Sequence, residues 1–270
     1  MTSNESSGVK RQYANAANLD SRINLHRLYS TNSQGWSAWV YRQMTFPKGS
    51  SVLELGCGNG QLWLDNRNRI PADVTFTISD FSAEMLNEAN IRMTDIPGNF
   101  KYIVIDAQDI PFGNESMDIL IANHMLYHVP DLEKALSEMR RVLRIGGIVY
   151  CTTIGKRHFA EIAEVLSKID KRIVFNEISY GKFTLQSGPA ILARYLSQIE
   201  VREYEDSLKV TNADDLIKYI MPSDGISNAS TYLQGDRLGI LKDILLKEIR
   251  AKGYIKVSKE SGMIIGKRVA

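Results

Sequence analysis

Three glycines and one acid form the segment of this sequence that is best suited to bind a ligand. Gly56, Gly58 and Gly60 follow the apolar run SVLEL, and Glu54 lies two residues before the first glycine. Glycine permits unusual backbone dihedrals and the close approach of a ligand. A dinucleotide-binding loop would have the spacing GxGxxG and would place a pyrophosphate at a helix N-terminus. The spacing GxGxG with a nearby acid instead favours a ligand that carries positive charge and no phosphate.

Two further acids follow the next predicted strands. Asp80 lies 20 residues after Gly60, and Asp106 precedes Ala107. A carboxylate at Asp80 can accept hydrogen bonds from both hydroxyls of a ribose. A carboxylate at Asp106 can accept from the amino group of adenine, while the next backbone N–H donates to a ring nitrogen. Taken singly, the glycines also fit a structural turn and the aspartates also fit helix N-termini. Their shared position at strand ends favours a nucleoside site.

The elements that must position these residues alternate between strands and helices. The predicted strands are Ser51–Leu55, Asp73–Ser79, Lys101–Ile105, Met117–Asn123 and Ile148–Thr153. Helical patterns cover 22–45, Gln61–Arg67, a segment from the N-cap Ser82 to about Arg92, and a segment after Pro130 that Gly146-Gly147 ends. This alternation predicts βαβ units and a parallel sheet. Beyond residue 155 the predicted strands are Ile199–Val210, Tyr254–Val257 and Met263–Lys267, and the predicted helices are 213–221 and 235–252.

The order of the motifs resembles a known family. ELGCGNG, ISDFS, IDAQDIPF, SMDILIANHMLYHV and VLRIGG, in this order, resemble the class I S-adenosylmethionine-dependent methyltransferases, in particular the small-molecule type related to ubiquinone/menaquinone-biosynthesis methyltransferases. The resemblance covers about residues 50–155. It implies an α/β, Rossmann-like fold with a seven-stranded, mostly parallel sheet, an antiparallel last strand and a helical cap inserted after strand five. It also implies S-adenosylmethionine as cofactor and S-adenosylhomocysteine as product.

The pattern of elements predicts a division of the chain, and the resemblance implies roles for single residues. The expected parts are an N-terminal helical lid (1–48), a cofactor-binding core (49–155), an inserted cap (156–198) and a C-terminal completion of the sheet (199–270). The cofactor-binding residues that it implies are Glu54, Gly56, Cys57, Gly58 and Gly60 in the loop, Asp80 for the ribose, Phe81 beside the adenosine, Asp106 and Ala107 for adenine, and Asn123 near the methionine part. Tyr29, within the segment YSTN, and Trp36 are expected to close over the cofactor.

His124, Tyr127 and His128 are the candidate catalytic residues. Methyl transfer from a sulfonium is an in-line displacement, so the protein mainly has to align the reacting atoms and exclude water. A general base is needed only where the acceptor must lose a proton, and histidine titrates near neutrality. Packing or hydrogen bonding is the alternative role for these side chains. No metal site is predicted, because the two histidines lack a third ligand at a convincing spacing.

The acceptor is expected to be a small organic molecule. The segment after strand four reads Asn123-His124-Met125-Leu126 and lacks the Asp/Asn-Pro-Pro-Tyr/Phe tetrad of enzymes that methylate amino groups of nucleobases and glutamine. A formal net charge of only +2 disfavours a nucleic-acid partner. An RNA or protein methyltransferase, a non-catalytic cofactor-binding protein and an oligomer stay open. The polar N-terminus and the absence of a long apolar run predict a cytoplasmic protein without a membrane partner.

Overall fold

The computed structural model describes residues 24–175, 182–221 and 227–270. The chain divides into two units. One unit contains the described residues of Met1–Gly35, Gly155–Gly181 and Glu205–Glu260, and the other contains Trp36–Ile154, Lys182–Tyr204 and Ser261–Ala270. The expected lid at 1–48 and cap at 156–198 lie partly outside the described residues and stay predictions.

The described residues form a seven-stranded sheet. Its strands are β1 (Ser51–Leu55), β2 (Thr75–Asp80), β3 (Asn99–Val104), β4 (Met117–Asn123), β5 (Leu143–Ile154), β6 (Ser197–Val210) and β7 (Ile255–Lys267). They lie in the order β3-β2-β1-β4-β5-β7-β6. The first five strands pair in parallel, and β7 pairs with β5 in the antiparallel direction. The predicted Rossmann-like α/β fold with its antiparallel strand is therefore confirmed.

Helices connect these strands. They are α1 (Trp36–Gln43), α2 (Gln61–Asp65), α3 (Ala83–Arg92), α4 (Leu132–Val142), α5 (Ala160–Ile169), α6 (Gly188–Leu192), α7 (Ala213–Ile220), α8 (Ala229–Tyr232) and α9 (Asp236–Lys252). The central strands β1 and β4 are mostly apolar and almost wholly buried, as parallel strands covered on both faces are. No helix among the residues that the structure describes has the length and apolar character needed to cross a membrane.

Several element bounds differ from the sequence prediction for local reasons. Within the helical pattern over 22–45, residues 30–35 are not helical; Gly35 has a φ of 76°, and α1 begins at the next residue. α4 ends at Val142, so Gly146 and Gly147 lie inside the longer strand β5 and do not end the helix. β7 is continuous through its middle, where polar residues had predicted two separate strands. β3 ends at Val104, before Ile105.

The first unit contains a fully buried ion pair. Lys259 Nζ lies 2.5 Å from Asp206 Oδ2, and their side chains are 6% and 0% exposed. The same carboxylate accepts hydrogen bonds from Ser30 Oγ at 2.8 Å and from the backbone N–H groups of Thr31 and Asn32 at 3.0 and 3.1 Å. Asp206 therefore ties the segment 30–32 to β6 and neutralises a buried ammonium group.

We expect Asp206→Ala to lower the free energy of unfolding by about 3–5 kcal/mol, because it leaves the Lys259 ammonium buried without its counter-ion. Chemical denaturation with circular dichroism measures the change. Asp214→Ala is the matched control. It breaks the ion pair between Asp214 and Lys242, in which both side chains are about half exposed, so it should change stability little. Equal effects of the two substitutions would contradict this assignment.

Candidate functional site

The glycine-rich loop joins β1 to α2 in the second unit. Gly56, Gly58 and Gly60 have φ values of 71°, 55° and 77°, in the left-handed region that favours glycine. A Cβ at Gly56 would lie 2.8 Å from Met125 Cβ, whereas a Cβ at Gly58 would meet nothing closer than Met85 Cε at 4.0 Å. The protein itself therefore fills the space beside Gly56 and leaves the space beside Gly58 open.

Asp80 is the last residue of β2 and holds this loop. Its Oδ2 accepts from the backbone N–H of Gly58, and its Oδ1 accepts from that of Ser82, both at 2.9 Å. Ser82 is the predicted N-cap of α3, and its hydroxyl accepts from Met85 N at 3.2 Å. Burial raises the pKa of Asp80, and the backbone hydrogen bonds from Ser82 and Gly58 oppose that rise. A carboxylate offers about four lone pairs, so Asp80 retains acceptor capacity for a ligand.

The third predicted acid lies just beyond β3. Asp106 Oδ1 accepts from the backbone N–H of Gln108 at 2.8 Å, and its carboxylate also accepts from Gln108 Nε2. Ala107 is buried, and Phe81 is 44% exposed. Asp80 and Val104, the last residues of β2 and β3, are paired in the sheet. Phe81 comes directly after the first of these strand ends, and Asp106 comes two residues after the second. The structure thus places these residues at the same edge of the sheet.

Glu54 is buried at the carboxyl end of β1. Its side chain is bonded by two neutral donors: Trp63 Nε1 lies 2.6 Å from Oε2, and Asn123 Nδ2 lies 3.2 Å from Oε1. Only 2% of Glu54 is exposed. Burial raises its pKa to about 7, against the two hydrogen bonds, and the nearby charge of Asp80 adds to the rise. This carboxylate therefore titrates in the neutral range.

Asn123, the last residue of β4, bonds to protein groups on both sides of its amide. Besides its bond to Glu54, its Oδ1 accepts from Thr152 Oγ1 at 3.3 Å. Thr152 Oγ1 in turn accepts from the backbone N–H of His124 at 3.0 Å. His124 has a φ of 50°, a left-handed conformation that is uncommon for residues other than glycine. β5 therefore supports the backbone turn that follows β4.

The three candidate catalytic side chains lie in this turn. His124 precedes the short 3-10 helix Leu126–His128, so the two histidines do not share a face of one α-helix. The ring of Tyr127 is 4.5 Å from that of His128, and the ring of Trp36 is 5.0 Å from that of His124. Among the described residues, no group of three His, Cys, Asp or Glu side chains is arranged to hold a metal ion.

Two other predicted residues have different surroundings. Tyr29 lies in the first unit, where its hydroxyl donates to Asp215 Oδ2 at 2.6 Å; its expected contact with the cofactor stays a prediction. Cys57 lies in the glycine-rich loop, and its backbone N–H donates to Ser79 O at 2.9 Å. Burial and the charges of Glu54 and Asp80 raise the pKa of the Cys57 thiol well above its usual value, which favours the neutral thiol.

Two residues of this loop region were not among the predicted site residues. Trp63 donates to Glu54, and Asn59, which is 3% exposed, has a buried Nδ2 with no hydrogen-bond partner. The segment QLWLD predicted a helix, but its pattern does not indicate that the indole of Trp63 donates a hydrogen bond to Glu54, nine residues earlier. Asn59 lay within the glycine motif, and only its burial distinguishes it from a solvent-exposed turn residue.

Comparison with known proteins identifies the central part of the chain. Residues 53–151 match a family described as a methyltransferase domain. The chain is 29% identical over 143 residues to the ubiquinone/menaquinone biosynthesis C-methyltransferase UbiE of Idiomarina loihiensis, covering 52% of this chain and 54% of that protein. It is 32% identical over 143 residues to a demethylmenaquinone methyltransferase of Staphylococcus aureus, covering 53% and 58%. The match thus spans little more than half the length of these curated relatives.

A solved structure shows a similar fold over most of the chain. The phosphoethanolamine N-methyltransferase 2 of Haemonchus contortus, solved in complex with S-adenosyl-L-methionine, matches 97% of this chain and 59% of its own, with a TM-score of 0.59 and 15% identity. Residues 53–151 therefore match a methyltransferase domain, the chain has the α/β fold of such enzymes, and the predicted resemblance to ubiquinone/menaquinone-biosynthesis methyltransferases is confirmed.

Proposed function

We propose that this protein transfers a methyl group from S-adenosylmethionine to an O, N or C atom of a small organic acceptor. The observation that carries the proposal is the pair of acids, the buried Glu54 and the partly buried Asp80, on either side of a glycine loop with a left-handed backbone. A cofactor that bears an ammonium and a sulfonium group and no phosphate suits a loop with two carboxylates. The same loop would repel a pyrophosphate.

The residues present fit this cofactor in three respects. The open space at Gly58 admits a ligand close to the backbone, because no protein atom lies within 4 Å of a Cβ built there except one methionine methyl group at that distance. The Asn59 Nδ2 group is a buried donor without a protein partner, and such groups are costly unless a ligand or water satisfies them. Asp80 and Asp106 supply the acceptors for ribose hydroxyls and for the adenine amino group.

When bound, S-adenosylmethionine supplies a methyl group that its sulfonium charge activates. The chain's own residues then have to bind the cofactor, orient the acceptor and shield the reacting atoms from water. Glu54 offers a negative charge for the ammonium group, and Asp80 accepts from the ribose. The turn His124–His128, held by Thr152, presents polar side chains after β4, and we infer that it faces the acceptor. His124, Tyr127 or His128 takes a proton where the acceptor has to lose one.

The acceptor proposal follows from the relatives and from the aromatic side chains near the turn. Trp36 packs against Trp39, Tyr204 and His124, with ring centroids 5.4, 5.3 and 5.0 Å apart. Aromatic walls suit a flat organic acceptor, and the curated relatives are named as methyltransferases of quinone biosynthesis. We infer that the methyl group is transferred in line to a small phenol-like or amine acceptor. We also infer a cytoplasmic location for the protein.

A transfer assay tests the proposed activity. The purified protein is incubated with S-adenosylmethionine labelled on the methyl group and with panels of small phenols, quinols, amines and carboxylic acids; total RNA and protein serve as the competing acceptors. Label in a small product supports the proposal. Label only in RNA or protein would contradict the proposed small-molecule acceptor and indicate a macromolecular one. Binding of the cofactor without transfer to any acceptor would indicate a non-catalytic protein.

Asp80→Ala should weaken binding of S-adenosylhomocysteine by about tenfold to a hundredfold, because it removes charge-assisted hydrogen bonds to the ribose and the support of the Gly58 N–H. Asp80→Asn, which retains one acceptor oxygen, should lie between Ala and wild type. Calorimetric titration measures both affinities. Unchanged affinity in Asp80→Ala would exclude the ribose role.

Gly58→Ala should abolish measurable binding of S-adenosylhomocysteine while the protein stays folded. The added methyl group meets no close protein atom, so the fold bears only the cost of a left-handed alanine, about 1–2 kcal/mol. Calorimetry and circular dichroism measure the two effects. A folded variant that binds with wild-type affinity would show that the loop is a structural turn only.

The affinity for S-adenosylhomocysteine should increase about tenfold between pH 6 and pH 8. With a pKa of about 7, Glu54 is mostly protonated at the lower pH and mostly ionised at the higher one, and only the ionised form attracts the ligand's ammonium group. Titrations across this range measure the profile. The matched control, Glu54→Gln, should bind weakly with no step near neutrality, and the same step in both proteins would contradict the role of Glu54.

A further inference from the structure

Trp63 reaches the buried acid because of the way that α2 begins. The helix starts directly after Gly60, whose carbonyl accepts from the backbone N–H of Trp63 at 3.1 Å. This first turn places the indole under the loop, where the side chain is 0% exposed. The glycine loop and the indole are therefore parts of one local structure, and the position of one depends on that of the other.

The indole is held rigidly in this position. Four aromatic rings surround it, with centroids 4.7 to 6.3 Å from its own; they belong to Tyr41, Phe46, Phe76 and Phe100. Aromatic packing of this kind buries apolar area, and it also fixes the orientation of the ring plane. The Nε1–H of Trp63 consequently has one direction available, and Glu54 Oε2 lies 2.6 Å away along it.

The carboxylate of Glu54 is in this way bonded at both oxygens by donors that cannot themselves be ionised near neutrality. Asn123 from β4 bonds the second oxygen. The titratable groups at this site are Asp80 from β2, whose negative charge disfavours ionised Glu54, and Cys57 from the loop, whose thiol pKa is raised so that it stays neutral. Hydrogen bonds to the charged form oppose both this repulsion and the burial. The shorter of the two bonds comes from Trp63.

We propose that Trp63 is a positioning residue for cofactor binding: its indole N–H holds the Glu54 carboxylate in the orientation and the charge state in which it receives the ligand's ammonium group. This inference rests on the proposed function and extends it to a residue that has no ligand contact of its own. Asn123 assists from the opposite side. The function of the aromatic cluster is then to fix a hydrogen-bond donor as well as to fill the core.

The test substitutes Trp63 by Phe, which keeps an aromatic ring in the cluster and removes the N–H. At pH 7 we expect binding of S-adenosylhomocysteine to weaken about tenfold, as for the loss of a hydrogen bond to a charged group, and the midpoint of the pH profile to move up by roughly one unit. In the Glu54→Gln background the same substitution should have no further effect on binding. An unchanged pH midpoint would overturn the proposal.

Tyr41→Phe is the matched control for packing. Tyr41 lies in the same cluster, and its hydroxyl donates to Arg69 O at 2.7 Å, so this substitution also removes one hydrogen bond beside a ring. It should lower thermal stability, by less than Trp63→Phe because it leaves no comparable cavity, and leave both the affinity and the pH midpoint as in wild type. Equal loss of affinity in the two variants would show that Trp63 acts only through packing.

A ligand-free measurement separates this inference from the proposed function. Tryptophan emission of a Trp36→Phe, Trp39→Phe variant, which retains Trp63 out of the three tryptophans of the chain, should change between pH 5.5 and 8.5 with a midpoint near 7 as Glu54 ionises beside Trp63. This change should vanish when Glu54→Gln is added, and its absence before that addition would overturn the coupling. If the emission changes as expected but wild type does not bind S-adenosylhomocysteine, the proposed function fails and the coupling holds.

Discussion

A carboxylate buried between two neutral donors is the constraint around which the candidate site is arranged. Burial alone would keep Glu54 protonated, and ionisation is favoured only by the hydrogen bonds from Trp63 and Asn123. The result is an acid that titrates near pH 7 at the end of a central strand. Such a group can change its charge when a cation binds, at a low free-energy cost, and we propose that it favours ligands that carry a positive group.

The sheet brings the other groups to the same place. Parallel strands have their carboxyl ends at one edge, and the loops after β1, β2, β3 and β4 meet there. Two of these loops are stabilised by a group from a neighbouring strand: Asp80 at the end of β2 bonds the glycine loop after β1, and Thr152 of β5 bonds the turn after β4. In the proposed function Asp80 serves the protein and the ligand at once, so a substitution there should affect both.

Most of the fold could be predicted from the sequence, because each strand of the core is a short apolar run and each turn contains glycine or an N-cap residue. Ser82 and Asp80 are examples in which the local pattern sufficed. The start of β5 and the middle of β7 could not be predicted, since Gly146, Gly147 and the polar residues 258–261 have turn-like composition. In the structure, backbone hydrogen bonds join Gly146 and Gly147 to Arg268, and β7 continues through 258–261.

The candidate site was predictable where it follows strand ends and unpredictable where it depends on packing. Spacing placed Glu54, Asp80 and Asp106 at one edge of the sheet. The bond between Trp63 and Glu54 depends on the three-dimensional position of an aromatic cluster, and the buried amide of Asn59 depends on what covers the loop. A pattern of residue types carries no information about either. Likewise, the left-handed backbone of His124 follows from its bonds to Thr152.

The measurement that tests the central claim most directly is a calorimetric titration of the purified protein with S-adenosylhomocysteine, with NAD as the comparison ligand. The two share an adenosine group, but NAD has a pyrophosphate where S-adenosylhomocysteine has an ammonium-bearing chain. We expect saturable binding of one S-adenosylhomocysteine per chain and no binding of NAD. Binding of NAD in preference to S-adenosylhomocysteine would contradict this expectation, because the acids of the loop would then not select the ligand that carries an ammonium group.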